Sequence, residues 1–188
     1  MFQASTKKLL LLIIFSISSL LNAEDFQPGK HYQILAEPIA TRDSKKIEVI
    51  EFFWFGCGHC FSLENQLNTW EEQLSDDIDF WRSPITWNEM AKTHAKLFYA
   101  AEFFKKPAII RDTFLSIHAN QRMMTSDREL KPFFASFGIA EDQYQSLFNS
   151  FAMQNKIRRA DTFGLKYEIR GVPAFIVNGK YKVSASRQ

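Results

Sequence analysis

Apolar residues follow two rhythms along this chain, and the switches between them mark out its elements. Ile47 to Phe55 is almost continuously apolar and aromatic, the pattern of a central strand covered on both faces. Directly afterwards Cys60, Leu63, Leu67, Trp70 and Leu74 recur at helical spacing, which predicts a helix starting near Cys57. Ile78 to Ile85 reads as the next strand, and Tyr32 to Leu35 as a short first one between Pro28-Gly29 and Pro38. From Asn88 to about Tyr167 the rhythm is helical. Met90, His94, Leu97, Phe98 and Ala101 form one stripe, and Ile109, Ile110, Phe114 and Ile117 another. Ser126 and Glu129 make a capping box ahead of Leu130, Phe133, Phe134 and Phe137, and Gly138 is expected to end that helix. Glu141 to Phe151 and Met153 to Tyr167 are two further expected helices. Strands return at Ala174 to Val177 and Lys180 to Val183, joined by Asn178-Gly179, the strongest short-range hairpin signal. The order predicts an α/β fold: a sheet with a helical insertion.

The first residues read as an address, not as fold. Lys7 and Lys8 precede an apolar run from Leu9 to Leu21, and Leu21-Asn22-Ala23 offers a cleavage site. A membrane anchor is the alternative, but the run falls short of the roughly 20 apolar residues that span a bilayer. Cleavage after Ala23 changes the charge argument. The chain has 23 Lys+Arg against 21 Asp+Glu, and the leader holds two lysines and no acid. The remainder is formally neutral, so nothing points to nucleic acid or an anionic membrane.

Only two cysteines occur, Cys57 and Cys60, three positions apart. A Cys-x-x-Cys loop is too small to staple a fold, and no second Cys or His pair stands at zinc spacing, so neither metal nor cofactor is expected. Redox chemistry explains the pair better. Thiol–disulfide exchange needs an attacking thiolate and a second thiol to resolve the mixed disulfide. Strand-then-helix geometry would put Cys57 at a helix N-terminus, where unpaired N–H groups and the dipole favour the thiolate. Cys60 would lie deeper, as the resolving thiol. His59 could lend the thiolate an N–H or a charge, or be merely a solvated first-turn residue. Glu51 interrupts an apolar run, where burial would raise its pKa. It reads as a proton acceptor for Cys60, or otherwise as a carboxylate reaching water at a sheet edge. Val172-Pro173 opens the last hairpin, and spacing alone gives no reason to make that bond cis.

Glu51-Phe52-Phe53-Trp54-Phe55-Gly56-Cys57-Gly58-His59-Cys60, with Arg170-Gly171-Val172-Pro173-Ala174 and Val177-Asn178-Gly179-Lys180-Tyr181, resembles the DsbA family of periplasmic thiol oxidases. The resemblance runs from about Asp25 to Tyr181. It implies a thioredoxin-like fold with an inserted helical domain: a leader over 1–23, thioredoxin-like parts over 24–87 and 151–188, and the insertion over 88–150. It implies a low-pKa nucleophile at Cys57, the resolving thiol at Cys60 and a buried acid at Glu51. Pro173 would be a cis-proline beside the disulfide, with Val172, Gly58 and His59 meeting the substrate. Unfolded exported proteins would be the substrates, and a DsbB-like membrane oxidase would restore the disulfide.

Three features depart from the family pattern. Gly58-His59 stands between the cysteines, as in protein disulfide isomerase, where well-known members have Pro-His; this leaves isomerase or reductase activity open. Arg82 falls where the family often has a lysine near the buried acid. Nine residues follow Gly179 where the family continues into a closing helix, so that helix is expected to be missing. Two other classes fit less well. Glutathione-using relatives of the kappa-class transferases and chromene-carboxylate isomerases do not suit a leader and a full Cys-x-x-Cys pair. A peptide-binding chaperone would leave the cysteines incidental.

Overall fold

The apolar run after Lys46 becomes an interior strand of a sheet. In the computed structural model, which describes residues 26–184, five strands lie in the order β1-β5-β4-β2-β3. The expected leader, residues 1–23, lies outside the described residues. Strand β2 (Ile47–Phe53) runs parallel to β3 (Ile78–Pro84), and Glu51 faces Arg82 in register. On its other side β2 pairs antiparallel with β4 (Ala174–Val177), which pairs with β5 (Tyr181–Ser184). Strand β1 is only Gln33–Ile34, antiparallel to β5. Strand β2 stops at Phe53, two residues before the end of the apolar run, because Trp54 starts a turn: its carbonyl accepts from Cys57 N–H at 2.9 Å.

The β4–β5 hairpin turns at Asn178 and Gly179, whose φ angles are 50° and 60°, the left-handed pair that a tight hairpin requires. A Cβ on Gly179 would overlap the Ile39 carbonyl oxygen. Ile39 N–H in turn donates to Gly179 O at 2.9 Å, so the turn also pins the segment entering the sheet.

Helix α1 (Gly58–Glu71) follows β2, and α2 (Glu89–Phe103), α3 (Ala108–His118), α4 (Asp127–Ser136) and α5 (Glu141–Asn149) follow β3. The Ser126–Glu129 capping box is formed, and Gly138, at φ 71°, lies just past the end of α4. One expected boundary is corrected. Phe151 does not close α5; it opens α6 (Phe151–Lys166). Ser150 is extended, and its hydroxyl accepts from Met153 N–H at 3.1 Å, capping the new helix and ending the old one.

Because side chains alternate along β2, the sheet has a core on each face. Phe53 joins Phe55, Leu97, Phe98, Phe114 and Phe134 on the side of α1 and the helices after β3. Ile50 and Phe52 join Tyr167, Ile169 and Ile176 on the other face, where Phe163 near the end of α6 packs against them. Among the described residues no helix is long and apolar enough to cross a membrane. The architecture is a thioredoxin-like α/β fold.

Candidate active site

Cys57 is the N-cap of α1, with φ −91° and ψ 115°, and its Sγ accepts from Cys60 N–H at 3.3 Å. This is the place of a capping serine or aspartate, filled by sulfur, at the positive end of the helix. The loop before it is braced by Trp54. The indole N–H donates to His94 Nδ1 at 3.0 Å, and His94 Nε2 reaches Met123 O at 2.8 Å. Those partners require the neutral tautomer protonated on Nε2, and burial holds the His94 pKa down accordingly. Gly56 lies under the Trp54 ring, where a Cβ would overlap the indole.

The two thiols, both free in this structure, differ sharply. Cys57 is partly exposed and Cys60 is fully buried. The Cys57 pKa is lowered from 9.0 to about 6, chiefly because the Cys60 thiol donates to it. Burial opposes the shift, while the backbone N–H groups of Cys60 and His59, and the His59 charge, add to it. Cys60 is held well above the ordinary thiol range by the same bond to Cys57 and by burial. When Cys57 is a thiol its Sγ–H can donate to Val172 O, 3.4 Å away; as a thiolate it keeps the donors from Cys60 and His59.

Val172-Pro173 is cis and places the Val172 carbonyl beside the sulfur, with Pro173 buried behind it. The cis form is the geometry that the family resemblance implied and that spacing gave no reason to expect. Gly58 and His59 are exposed on the rim of the site. Among the described residues the His59 ring makes no hydrogen bond to Cys57, so His59 acts on the sulfur through its backbone N–H and its charge.

Glu51 lies beneath this pair, fully buried in the central strand and not at a sheet edge. Burial raises its pKa from 4.5 to about 7 against the pull of Arg82, whose Nε donates to Glu51 Oε2 at 2.5 Å. Glu51 Oε1 has no hydrogen-bond partner among the described residues. Arg82 also forks onto Glu64, at 3.0 and 2.9 Å, and lies 4.3 Å over the Phe53 ring. Burial works against the Arg82 charge, but the two carboxylates outweigh it and raise its pKa. Sequence reasoning singled out Glu51 and Arg82 and missed Glu64. The signal was available: Glu64 stands four residues after Cys60, on the buried stripe of α1.

Residues 63–188 match the family model for the DSBA-like thioredoxin domain. The thiol:disulfide interchange protein DsbA of Pseudomonas aeruginosa is 30% identical over 181 residues, covering 94% of this chain and 86% of that protein. The protein of the same name from Burkholderia cepacia is 32% identical over 187 residues, with the same coverage. The crystal structure of Pseudomonas aeruginosa DsbA superposes with a TM-score of 0.80 at 31% identity, covering 86% of this chain and 85% of that one.

Proposed function

The chain belongs to the DSBA-like thioredoxin domain family and is a thiol:disulfide oxidoreductase, and from that premise we propose that it donates the Cys57–Cys60 disulfide to unfolded exported proteins in the periplasm. The observation that carries the proposal is the pairing of a partly exposed low-pKa sulfur at a helix N-cap with a fully buried partner. Export rests on the leader over 1–23. The division into thioredoxin-like parts over 24–87 and 151–188 around a helical insertion over 88–150 belongs to the same reading.

Each step balances. A substrate thiolate attacks Cys57 Sγ; the Cys57–Cys60 bond breaks and a Cys57–substrate disulfide forms. Cys60 leaves as a thiolate and takes up a proton, which Glu51, balanced near neutrality, can supply. A second substrate thiolate then attacks the substrate sulfur of the mixed disulfide and releases Cys57 as a thiolate. The substrate is oxidised by two electrons and the pair is reduced. Low basicity makes Cys57 a good leaving group in that last step. Val172, Gly58 and His59 form the rim that would meet the substrate chain, with Pro173 on the buried side of the same site. Reoxidation would pass the two electrons on to a DsbB-like membrane oxidase, with Glu51 taking back the Cys60 proton.

Oxidised protein mixed with a reduced, unfolded substrate should form disulfides in that substrate, read as loss of free thiol. Cys57→Ser should abolish the transfer, and equal activity in that variant would overturn the proposal. Gly58-His59 keeps a reductase or isomerase reading in play. The equilibrium with glutathione separates the two: a strongly reducing pair would favour electron donation over oxidation.

A further inference from the structure

One side chain from the helices after β3 touches both ends of the redox segment. His118 closes α3, and its Nε2 lies 2.7 Å from the Phe55 carbonyl oxygen. Its ring stacks on Phe61, with centroids 4.7 Å apart and planes 8° from parallel. Phe55 stands two residues before Cys57, and Phe61 directly follows Cys60. Phe114, one turn earlier on α3, completes the contact, with its ring 4.7 Å from Phe55 and 6.0 Å from Phe61.

The hydrogen bond has no substitute in the backbone. Between the end of β2 and the cap of α1, the Phe53 carbonyl accepts from Ile85 N–H and the Trp54 carbonyl from Cys57 N–H. Among the described residues no backbone N–H reaches the Phe55 carbonyl. A carbonyl oxygen has only lone pairs to offer, so His118 must carry its proton on Nε2. The stack fixes the plane of the ring, and the ring fixes the direction of that N–H.

We propose that His118 is a positioning residue for disulfide exchange, holding the Phe55 carbonyl and the Phe61 ring so that Cys57 Sγ stays within reach of its donors on Cys60. The inference rests on the reading of Cys57 and Cys60 as the redox pair. It gives α3 a share in setting the reactivity of the Cys57 thiol. The loop before Cys57 and the first turn of α1 meet at the cap, where the 3.3 Å bond from Cys60 N–H to Cys57 Sγ is formed. His118 ties the two sides together again, next to Phe114, and is the one of the two that does so with a hydrogen bond to the Phe55 carbonyl.

Three variants separate the contributions. His118→Phe keeps an aromatic stack and removes the donor; His118→Gln keeps a donor and removes the stack; His118→Ala removes both. Thiolate absorbance of the reduced protein, followed against pH, reports on Cys57. In His118→Phe and His118→Ala the midpoint should move up by about one pH unit, about tenfold in the ionisation constant. The equilibrium with glutathione should shift toward the disulfide in step, and His118→Gln should recover most of both shifts. If His118→Phe and His118→Ala titrate and equilibrate like wild type while melting lower, His118 is merely structural and the inference fails. Should either variant not fold, nitrogen NMR of the wild type still decides, because an unprotonated Nε2 on His118 would overturn the inference directly. Failure of the redox reading would look different: wild-type Cys57 would itself ionise like a free cysteine.

Discussion

Glu48 and Glu51 lie three residues apart on one strand, both buried, and their surroundings give them different work. Glu48 Oε1 accepts from the Trp81 indole and the Arg42 backbone N–H, both at 3.1 Å, as a carboxylate built into a framework. Glu51 has Arg82 on one oxygen and, among the described residues, no hydrogen-bond partner on the other. A carboxyl group with a bare oxygen and a pKa near 7 can give or take a proton at neutral pH. Glu51→Gln keeps the shape and removes that capacity. Turnover of a preformed mixed disulfide between Cys57 and a model peptide should slow by about tenfold or more, and its rate should lose the bend near pH 7. Unchanged rates across pH, followed by chromatography of the released peptide, would remove Glu51 from the mechanism.

At the scale of elements, the β4–β5 hairpin shows what short-range rules can carry. Asn178-Gly179 marks the turn, and both residues take the backbone region that this pair is chosen for. Gly179→Ala should therefore destabilise the fold by about 2 kcal/mol or more, through its positive φ and the overlap with Ile39, as urea unfolding would report. A loss of only a few tenths would mean that the Ile39 segment moves aside freely. The central strand, the Ser126–Glu129 cap and the start of α1 were legible for the same reason: each is written in residues a few positions apart. The boundary at Ser150 was not, because Phe151 looks like a core residue and is in fact 75% exposed, while the serine hydroxyl decides where the helix begins. Of the site, the cysteines and Glu51 could be read from the chain. His118 could not, since its partner Phe55 is 63 residues away, and nothing local distinguishes it from any histidine at a helix end.

For the whole molecule, two perturbed groups bias stability in opposite directions. The Cys57 pKa is depressed to about 6, so the thiolate stabilises the reduced fold fully above the ordinary value of 9.0, less as pH falls, and not at all below about 6. The Glu51 pKa is raised to about 7, so its contribution is complete below the ordinary value of 4.5 and lost as pH rises through 7. The disulfide form has no Cys57 thiolate, so comparing the two redox forms reports on the first effect. The reduced protein should melt above the oxidised one at about pH 8, and the gap should narrow toward about pH 5. A gap independent of pH would mean that the thiolate is not what favours reduction. The complete burial of Cys60 bears on traffic through the molecule as well. A visiting polypeptide can dock covalently at one sulfur only, so donor and recipient must take turns. On the proposed reading the protein is a shuttle with a single berth, unable to bridge the chain it oxidises to an oxidase that would recharge it, and those two encounters would be kept apart in time by the depth of one atom.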